Sequence, residues 1–266
     1  MVVSRETLAG LRVALPRLKS DDAIAAALKT AGAQVDTFAL TQTVAIESAQ
    51  LEQVRERLAA GYYTWVVLSS WRAAQAVLPQ LNALALAADS IQGTTRLAVV
   101  GQSTAAWIEA HCSLKPALVG AGSAAKLLEV FPTPPTTPTV ATPTICLPQS
   151  QLAAPTLAQG LSQLGWQLDA VATYTTKPLP QLPAHLKTQW QAGAWDAVVV
   201  TAGSSAQALL QLLGPPPEKT AVVSIGKSTT ARCRELGLRV DATAATPRAE
   251  HITQAIINLF KAKDFS

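Results

Sequence analysis

The chain has 266 residues, 49% of them hydrophobic and only 14% charged, a balance that excludes disorder; its length points to about two domains. The net charge of +4 is too small for a protein that must neutralise many phosphates, and no Lys/Arg run forms a basic tail. No apolar window approaches the ~18 residues of a membrane span, so neither nucleic acid nor membrane is expected as a partner.

The N-terminus, MVVSRETLAGLRVALPR, lacks a charged region followed by an apolar one, so no signal peptide is expected. Cys112, Cys146 and Cys233 are far apart and odd in number, which argues against a disulfide framework and suits a reducing cytoplasm. His111, His185 and His251 are scattered as well, and no metal is expected.

In chain order, RVALPR (12–17) reads as a first strand. Asp21 or Asp22 caps a helix with the stripe Ile24, Leu28 and Ala31, ending at Gly32. Ser48 caps a second helix, with Leu51, Val54 and Leu58, closing at Gly61. VVL (66–68) and LAVV (97–100) are strands, and the Pro/Thr-rich stretch 132–143 is a connection that cannot be helix or central strand. TICLPQ (144–149) is a strand followed by a helix ending at Gly165; AVVV (197–200) and AVVSI (221–225) follow, with GPPPEK (214–219) as a loop between them. Continuous rather than alternating apolar runs mark strands buried on both faces of a parallel sheet. Strand and helix in repeated succession place the chain in the α/β class.

An internal repeat runs through it. WVVLSSWRAAQAVL (65–78) matches AVVVTAGSSAQALL (197–210), and LAVVGQSTAAWIEA (97–110) matches AVVSIGKSTTARCREL (221–236). RVALPR matches TICLPQ, and 115–130 echoes 239–256. Two copies of a half-size α/β unit are expected, facing each other across a cleft, with ligand beyond the carboxyl ends of the strands.

The candidate chemistry lies in the turns after those strands. GKS at 226–228 has Ala221 where a P-loop needs its first glycine, and VVSI before it reads as a buried strand. Four turns share another device: Ser69-Ser70, Gly101-Gln102-Ser103-Thr104, Thr201-Ala202-Gly203-Ser204 and Gly226-Lys227-Ser228-Thr229. In each a helix begins with free backbone N–H groups, which attract a carboxylate or phosphate. Any one of these turns is explained by Ser or Thr capping its own helix. Four in duplicated copies point to a ligand with several acidic groups. Arg17 either reaches a carboxylate or is an ordinary surface arginine; Trp71 and Arg72 stand where a cleft wall would be. Tyr174 in VATYTTKP reads as a core aromatic with a satisfied hydroxyl, Tyr62 and Tyr63 as structural, and His251 as a neighbour of a helix cap. The carboxylates show no paired spacing suited to acid–base work.

In their order and spacing, RVALPR, VVLSS, AVVGQSTAAWI, LVGAGSAAKLL, VATYTT, AVVVTAGSSA, SIGKSTTARCRELGL and ATPRAEHITQAI resemble the uroporphyrinogen-III synthase family over nearly the whole chain. The resemblance implies two flavodoxin-like parallel-sheet domains joined by a two-stranded linker. The first would be discontinuous, 1–40 plus 179–266, and the second 41–178, with the Pro/Thr stretch inside it. It implies a lyase that cyclises hydroxymethylbilane, a linear tetrapyrrole with eight carboxylates, inverting ring D and losing water to give uroporphyrinogen III, with no cofactor. The implied route runs through a cationic azafulvene and a spiro intermediate, so the protein supplies mainly a proton donor and a fixed geometry. Tyr174 matches the family tyrosine held to assist loss of hydroxide. Thr104 and Thr229 match the threonines of its G-x-x-T turns; Ser69-Ser70, and Thr201 with Ser204, match its TS-type turns. Departures are Leu15-Pro16-Arg17 where Thr-Arg-Pro is frequent and Ala202 where serine is common; Lys227 would add a charge contact. The expected enzyme is a monomer of the cytoplasm or of a stroma-like soluble phase, with a transient contact to the upstream bilane-forming enzyme. The alternative is a non-catalytic two-domain binding protein for an anionic small molecule, which would have no need of Tyr174.

Overall fold

Runs such as AVVV and WVVL have no polar face, so they are stable only as strands covered on both sides by helices. The computed structural model, which describes residues 8–87, 95–135 and 143–264, builds them that way. Its strands are β1 (Arg12–Leu15), β2 (Gln34–Thr37), β3 (Thr41–Ala45), β4 (Trp65–Leu68), β5 (Arg96–Val99), β6 (Leu118–Val119), β7 (Thr144–Ser150), β8 (Gln167–Pro178), β9 (Ala197–Val200), β10 (Ala221–Ser224) and β11 (Ala242–Thr243). Its helices are α1 (Ala23–Thr30), α2 (Ala49–Ala59), α3 (Trp71–Ala76), α4 (Leu78–Ala87), α5 (Gln102–His111), α6 (Ala124–Leu128), α7 (Thr156–Gln163), α8 (Ala184–Gln191), α9 (Gly203–Leu213), α10 (Lys227–Glu235) and α11 (Ala249–Asp264). Residues 136–142 of the Pro/Thr stretch and the first seven residues lie outside the described ones.

The chain forms two compact units, Met1–Gln42 with Thr176–Ser266 and Thr43–Thr175. It passes between them inside β3 and inside β8, which are neighbours in one sheet. In unit 1 the order is β11-β10-β9-β1-β2, with every pair parallel. Numbered along that unit's own chain this is 2-1-3-4-5, the flavodoxin-like order. In unit 2 the order is β6-β5-β4-β7-β8, its pairs parallel, with β3 added beside β8. The two orders superpose position by position in the sense the internal repeat predicts: β9 with β4, β10 with β5, β11 with β6, β1 with β7 and β2 with β8. Unit 2 is therefore a circular permutation of unit 1: the pair that opens unit 1 closes unit 2.

Both faces of each sheet are packed. In unit 1, Val13, Leu15, Val199 and Val223 meet α1 and α11, while Ala14, Val198, Val200 and Val222 meet α8, α9 and α10. In unit 2, Val66, Leu68, Val99 and Cys146 meet α2 to α5, while Trp65, Val67, Ile145 and Leu147 meet α6 and α7. Alternate residues of one strand thus serve opposite layers, as strand geometry dictates.

Local signals set the helix ends. Of the two candidate aspartates, Asp22 is the cap: its carboxylate accepts from the N–H of Ile24 and Ala25. Ser48 accepts from Leu51. Gly32, Gly61 and Gly165 follow their helices at φ of 98°, 70° and 97°, the left-handed region that glycine enters without steric cost. Among the described residues no helix is long and apolar enough to cross a membrane, and no cluster of three or more His, Cys, Asp or Glu could hold a metal.

Candidate functional site

Sheets of this order bind ligands beyond the carboxyl ends of the two central strands whose connections diverge. Those strands are β1 and β9 in unit 1, and β7 and β4 in unit 2. The sequence-predicted residues fall at the carboxyl edges of the two sheets, at these strands or their neighbours: Ser69, Ser70, Gly101, Ser103, Thr104 and Tyr174 in unit 2, and Arg17, Thr201 to Ser204 and Gly226 to Thr229 in unit 1.

In unit 2, Ser70 caps α3 by accepting the Ala73 N–H at 3.2 Å, and its Oγ lies 3.0 Å from the Tyr174 hydroxyl. A bulge makes this pairing possible. Leu168 and Ala170 of β8 face the α6–α7 layer and Val171 faces the α2–α5 layer. Strict alternation would send Tyr174 to the α6–α7 side. The register slips between Gln149 and Ser150, so that Gln149 pairs with Ala172 and Ser150 with Tyr174. The extra residue turns Tyr174 back to the Val171 side, where it packs partly buried against the same core as α3. Bulges re-aim side chains in this way beside functional sites. Ser69, the neighbour of Ser70, is exposed.

The N-termini of α5, α9 and α10 begin at Gly101, Ala202 and Gly226, and none of the three has a side-chain cap. The serines and threonines of these turns thus do not serve as caps for their own helices. The first-turn N–H groups and the positive end of each helix dipole are left for an anion. The two copies match in detail: Ser103 and Ser228 are exposed, while Thr104 and Thr229 are buried at 4% and 7%. Lys227 is exposed beside Ser228. Thr201, Ala202, Gly203 and Ser204 are half-buried. The Arg232 side chain crosses so close over Gly203 that a Cβ there would lie 2.5 Å from its Cγ.

Arg17 is already engaged. Its Nε and Nη2 reach the two oxygens of Asp22 at 2.5 and 2.6 Å, so it stiffens the turn after β1 through the cap of α1. Burial raises the Asp22 pKa; the Arg17 bonds and the Ile24 and Ala25 amides outweigh it and hold the carboxyl below its ordinary range.

Two features escaped the sequence reading. Ser224 Oγ, Thr230 Oγ1 and Thr243 Oγ1 form a hydroxyl cluster at the ends of β10 and β11, with Thr230 and Thr243 2.8 Å apart; no repeat or motif signals it. The second is exposed apolar side chains at each carboxyl edge: Leu18 beyond β1 in unit 1, and Trp71 beyond β4, Val119 at the end of β6 and Leu152 beyond β7 in unit 2. An edge with both bare N–H groups and exposed apolar side chains suits a ligand with both acidic groups and flat rings. Tyr63 is structural: it is buried and donates to Asp169 at 2.7 Å. His251, in α11, lies 2.7 Å from the Thr246 hydroxyl just ahead of that helix.

The chain resembles, at 18% identity and a TM-score of 0.59, a mutant uroporphyrinogen III synthase of Thermus thermophilus, with 95% of this chain and 99% of that chain covered. It resembles the uroporphyrinogen-III synthetase of Helicobacter pylori at 14% identity and a TM-score of 0.60, covering 94% and 99%. At such identities these likenesses establish the fold. No curated protein matches the chain by sequence. The family model described as uroporphyrinogen-III synthase HemD matches residues 22–254, which is most of the chain, and the protein therefore belongs to the uroporphyrinogen-III synthase family.

Proposed function

We propose that this chain is a hydro-lyase that closes hydroxymethylbilane to uroporphyrinogen III, inverting ring D and releasing water, in tetrapyrrole biosynthesis. The observation that carries the reading is the family match over residues 22–254, and features of the carboxyl edges of both sheets support it. The bare N-termini of α5, α9 and α10 suit the substrate's carboxylates. Gly101, Gly203, Gly226, Ser103, Ser204, Ser228 and Lys227 are the surfaces we assign to that binding.

The reaction needs one proton delivered to the departing hydroxyl. Tyr174 supplies it from Oη; the C–O bond of the hydroxymethyl group breaks and water leaves. Ser70 is placed to support that transfer. Its Oγ already accepts the Ala73 N–H, which leaves its own O–H free to donate to Oη as the phenolate develops. After ring closure the proton lost from carbon returns to Tyr174. Selection between the inverted and un-inverted product is a choice between two closures of one bound cation, which is set by geometry rather than by further catalytic groups. The enzyme acts, in this reading, as a monomer in a soluble compartment and receives its substrate from the bilane-forming enzyme.

The test is a coupled assay on freshly made hydroxymethylbilane, with the two isomers separated by chromatography. Type III is the expected product. Type I alone, at the spontaneous rate, would overturn the reading and leave a non-catalytic binder of anionic small molecules.

A further inference from the structure

Among the described residues of unit 2, one cationic side chain at the carboxyl edge is not explained by stability. Arg55 is held by Glu47 and Glu52, Arg57 by Asp169 and Lys126 by Glu129. Arg96 opens β5 and Lys115 follows α5, both toward the amino edge of the sheet. Arg72 lies in the first turn of α3, is exposed, and has no acid partner among the described residues.

Arg72 is nonetheless held in place. Its guanidinium carbon sits 4.4 Å from the centre of the Trp71 ring. Trp71 lies against Trp107 of α5, with ring centres 6.1 Å apart and planes tilted by 30°. Trp107 in turn stacks on His111, one helical turn on, at 4.3 Å and 11°. The His111 Nδ1 is fixed 2.8 Å from the Trp107 carbonyl. Four flat groups, from Arg72 through Trp71 and Trp107 to His111, thus form a series across two helices. The Ser70 that precedes it bonds Tyr174. Arginine stacks on indole by its face and leaves its N–H edge free for a carboxylate. A guanidinium already ordered by a ring loses less freedom on binding than a free one.

We propose that Arg72, seated on Trp71, directly contacts a carboxylate side chain of the substrate beside Tyr174, and that Trp71, Trp107 and His111 position it. The assignment rests on the function proposed above, which supplies a polycarboxylate substrate with pyrrole rings.

Steady-state kinetics with hydroxymethylbilane test it. Arg72→Gln should raise KM about tenfold, the loss of one charge-assisted contact, with kcat held within about twofold and the thermal midpoint unchanged. Arg72→Lys should recover only part of the loss, because an ammonium keeps the charge but not the planar stack. Trp71→Ala should raise KM about threefold by freeing Arg72. Arg96→Gln, at the opposite edge, controls for net charge and should leave KM as it is. If the unmodified chain makes type III and Arg72→Gln keeps its KM, or Arg96→Gln raises KM equally, the assignment of Arg72 is overturned and the function stands. A fall in kcat at constant KM also overturns it. Type I alone from the unmodified chain overturns the function, and Arg72 with it.

Discussion

Ser70 Oγ and Tyr174 Oη lie 3.0 Å apart although 104 residues separate them. One belongs to a helix cap and the other to a bulged strand, so neither is free to drift. A proton donor whose oxygen is already held needs no reorganisation as it reacts. Tyr174→Phe should lower kcat on the order of a hundredfold, the lower end for a lost general acid, and change product affinity less than about twofold. Ser70→Ala should lower kcat about tenfold and, by removing the cap, cost about 1 kcal/mol of stability. The double variant should be little slower than Tyr174→Phe alone, because in the proposed mechanism the serine acts through the phenol. Equal loss of turnover and affinity in Tyr174→Phe, or additive losses in the double variant, would refute the pairing.

The two paired glycines make the second prediction. Gly101 and Gly226 open matching helices, but only Gly101 is required by packing. A Cβ on Gly101 would lie 3.0 Å from the Gly122 Cα, whereas one on Gly226 would meet nothing within 4 Å. Gly226 has φ of 165°, extended backbone that any residue adopts. Gly101→Ala should therefore destabilise the protein by about 1–3 kcal/mol, as overpacking does. Gly226→Ala should leave stability within about 0.5 kcal/mol, a weaker cap offset by a stiffer unfolded chain. On the proposed function it should still raise KM about fivefold, because the methyl group would stand where the bare N–H groups are assigned to a substrate carboxylate. Thermal melts and steady-state kinetics on both variants separate the two roles.

That contrast shows where the sequence is legible and where it is not. The apolar runs, the caps Asp22 and Ser48 and the closing glycines Gly32, Gly61 and Gly165 all act within a few residues of themselves, so the pattern reveals them. The repeat exposes the pairing of β4 with β9 and β5 with β10, and the strand orders agree. The bulge at Gln149 and Ser150 has no such mark; it appears only when β7 pairs with β8, and without it Tyr174 faces the wrong layer. Gly101 and Gly226 look alike in sequence because their difference is made by Gly122, twenty-one residues from Gly101. From sequence Arg17 is either a carboxylate ligand or a surface arginine, and the turn after β1 selects neither by pairing it with Asp22. The hydroxyl cluster of Ser224, Thr230 and Thr243 joins three elements and has no local signature.

Asp22 carries the pH prediction. Its native pKa lies below the ordinary 3.8, so the unfolded chain binds the proton more tightly than the folded one. The stabilisation is complete above the unfolded value and is lost as pH falls from there through the native value. Thermal midpoints measured from about pH 5 down to about pH 3 should fall in the unmodified protein. The fall should be shallower in Asp22→Asn, whose amide oxygen still accepts from Ile24 but has no charge to lose. Parallel curves for the two proteins would remove Asp22 from the acid response.

The Tyr63–Asp169 pair tests whether a tyrosine with a shared carboxylate is structure or chemistry. Tyr63 is 1% exposed and donates to Asp169 Oδ2 at 2.7 Å, and Arg57 reaches the same oxygen at 2.7 Å. Burial and the adjacent carboxylate both push the Tyr63 pKa upward, so the phenol stays protonated and remains a donor. It is unsuited to giving up a proton, unlike the role assigned to Tyr174. Removing the acceptor should cost more than removing the donor. Asp169→Ala leaves a buried O–H without a partner, at about 1–3 kcal/mol, and also frees Arg57. Tyr63→Phe deletes the hydroxyl but leaves Asp169 its arginine, so its cost should stay near 1 kcal/mol. Both variants should retain kcat, since neither residue lies at the carboxyl edge where β4 meets α3. Denaturant melts rank the two costs. A kcat loss in Tyr63→Phe comparable to that of Tyr174→Phe would give the wrong tyrosine the catalytic role.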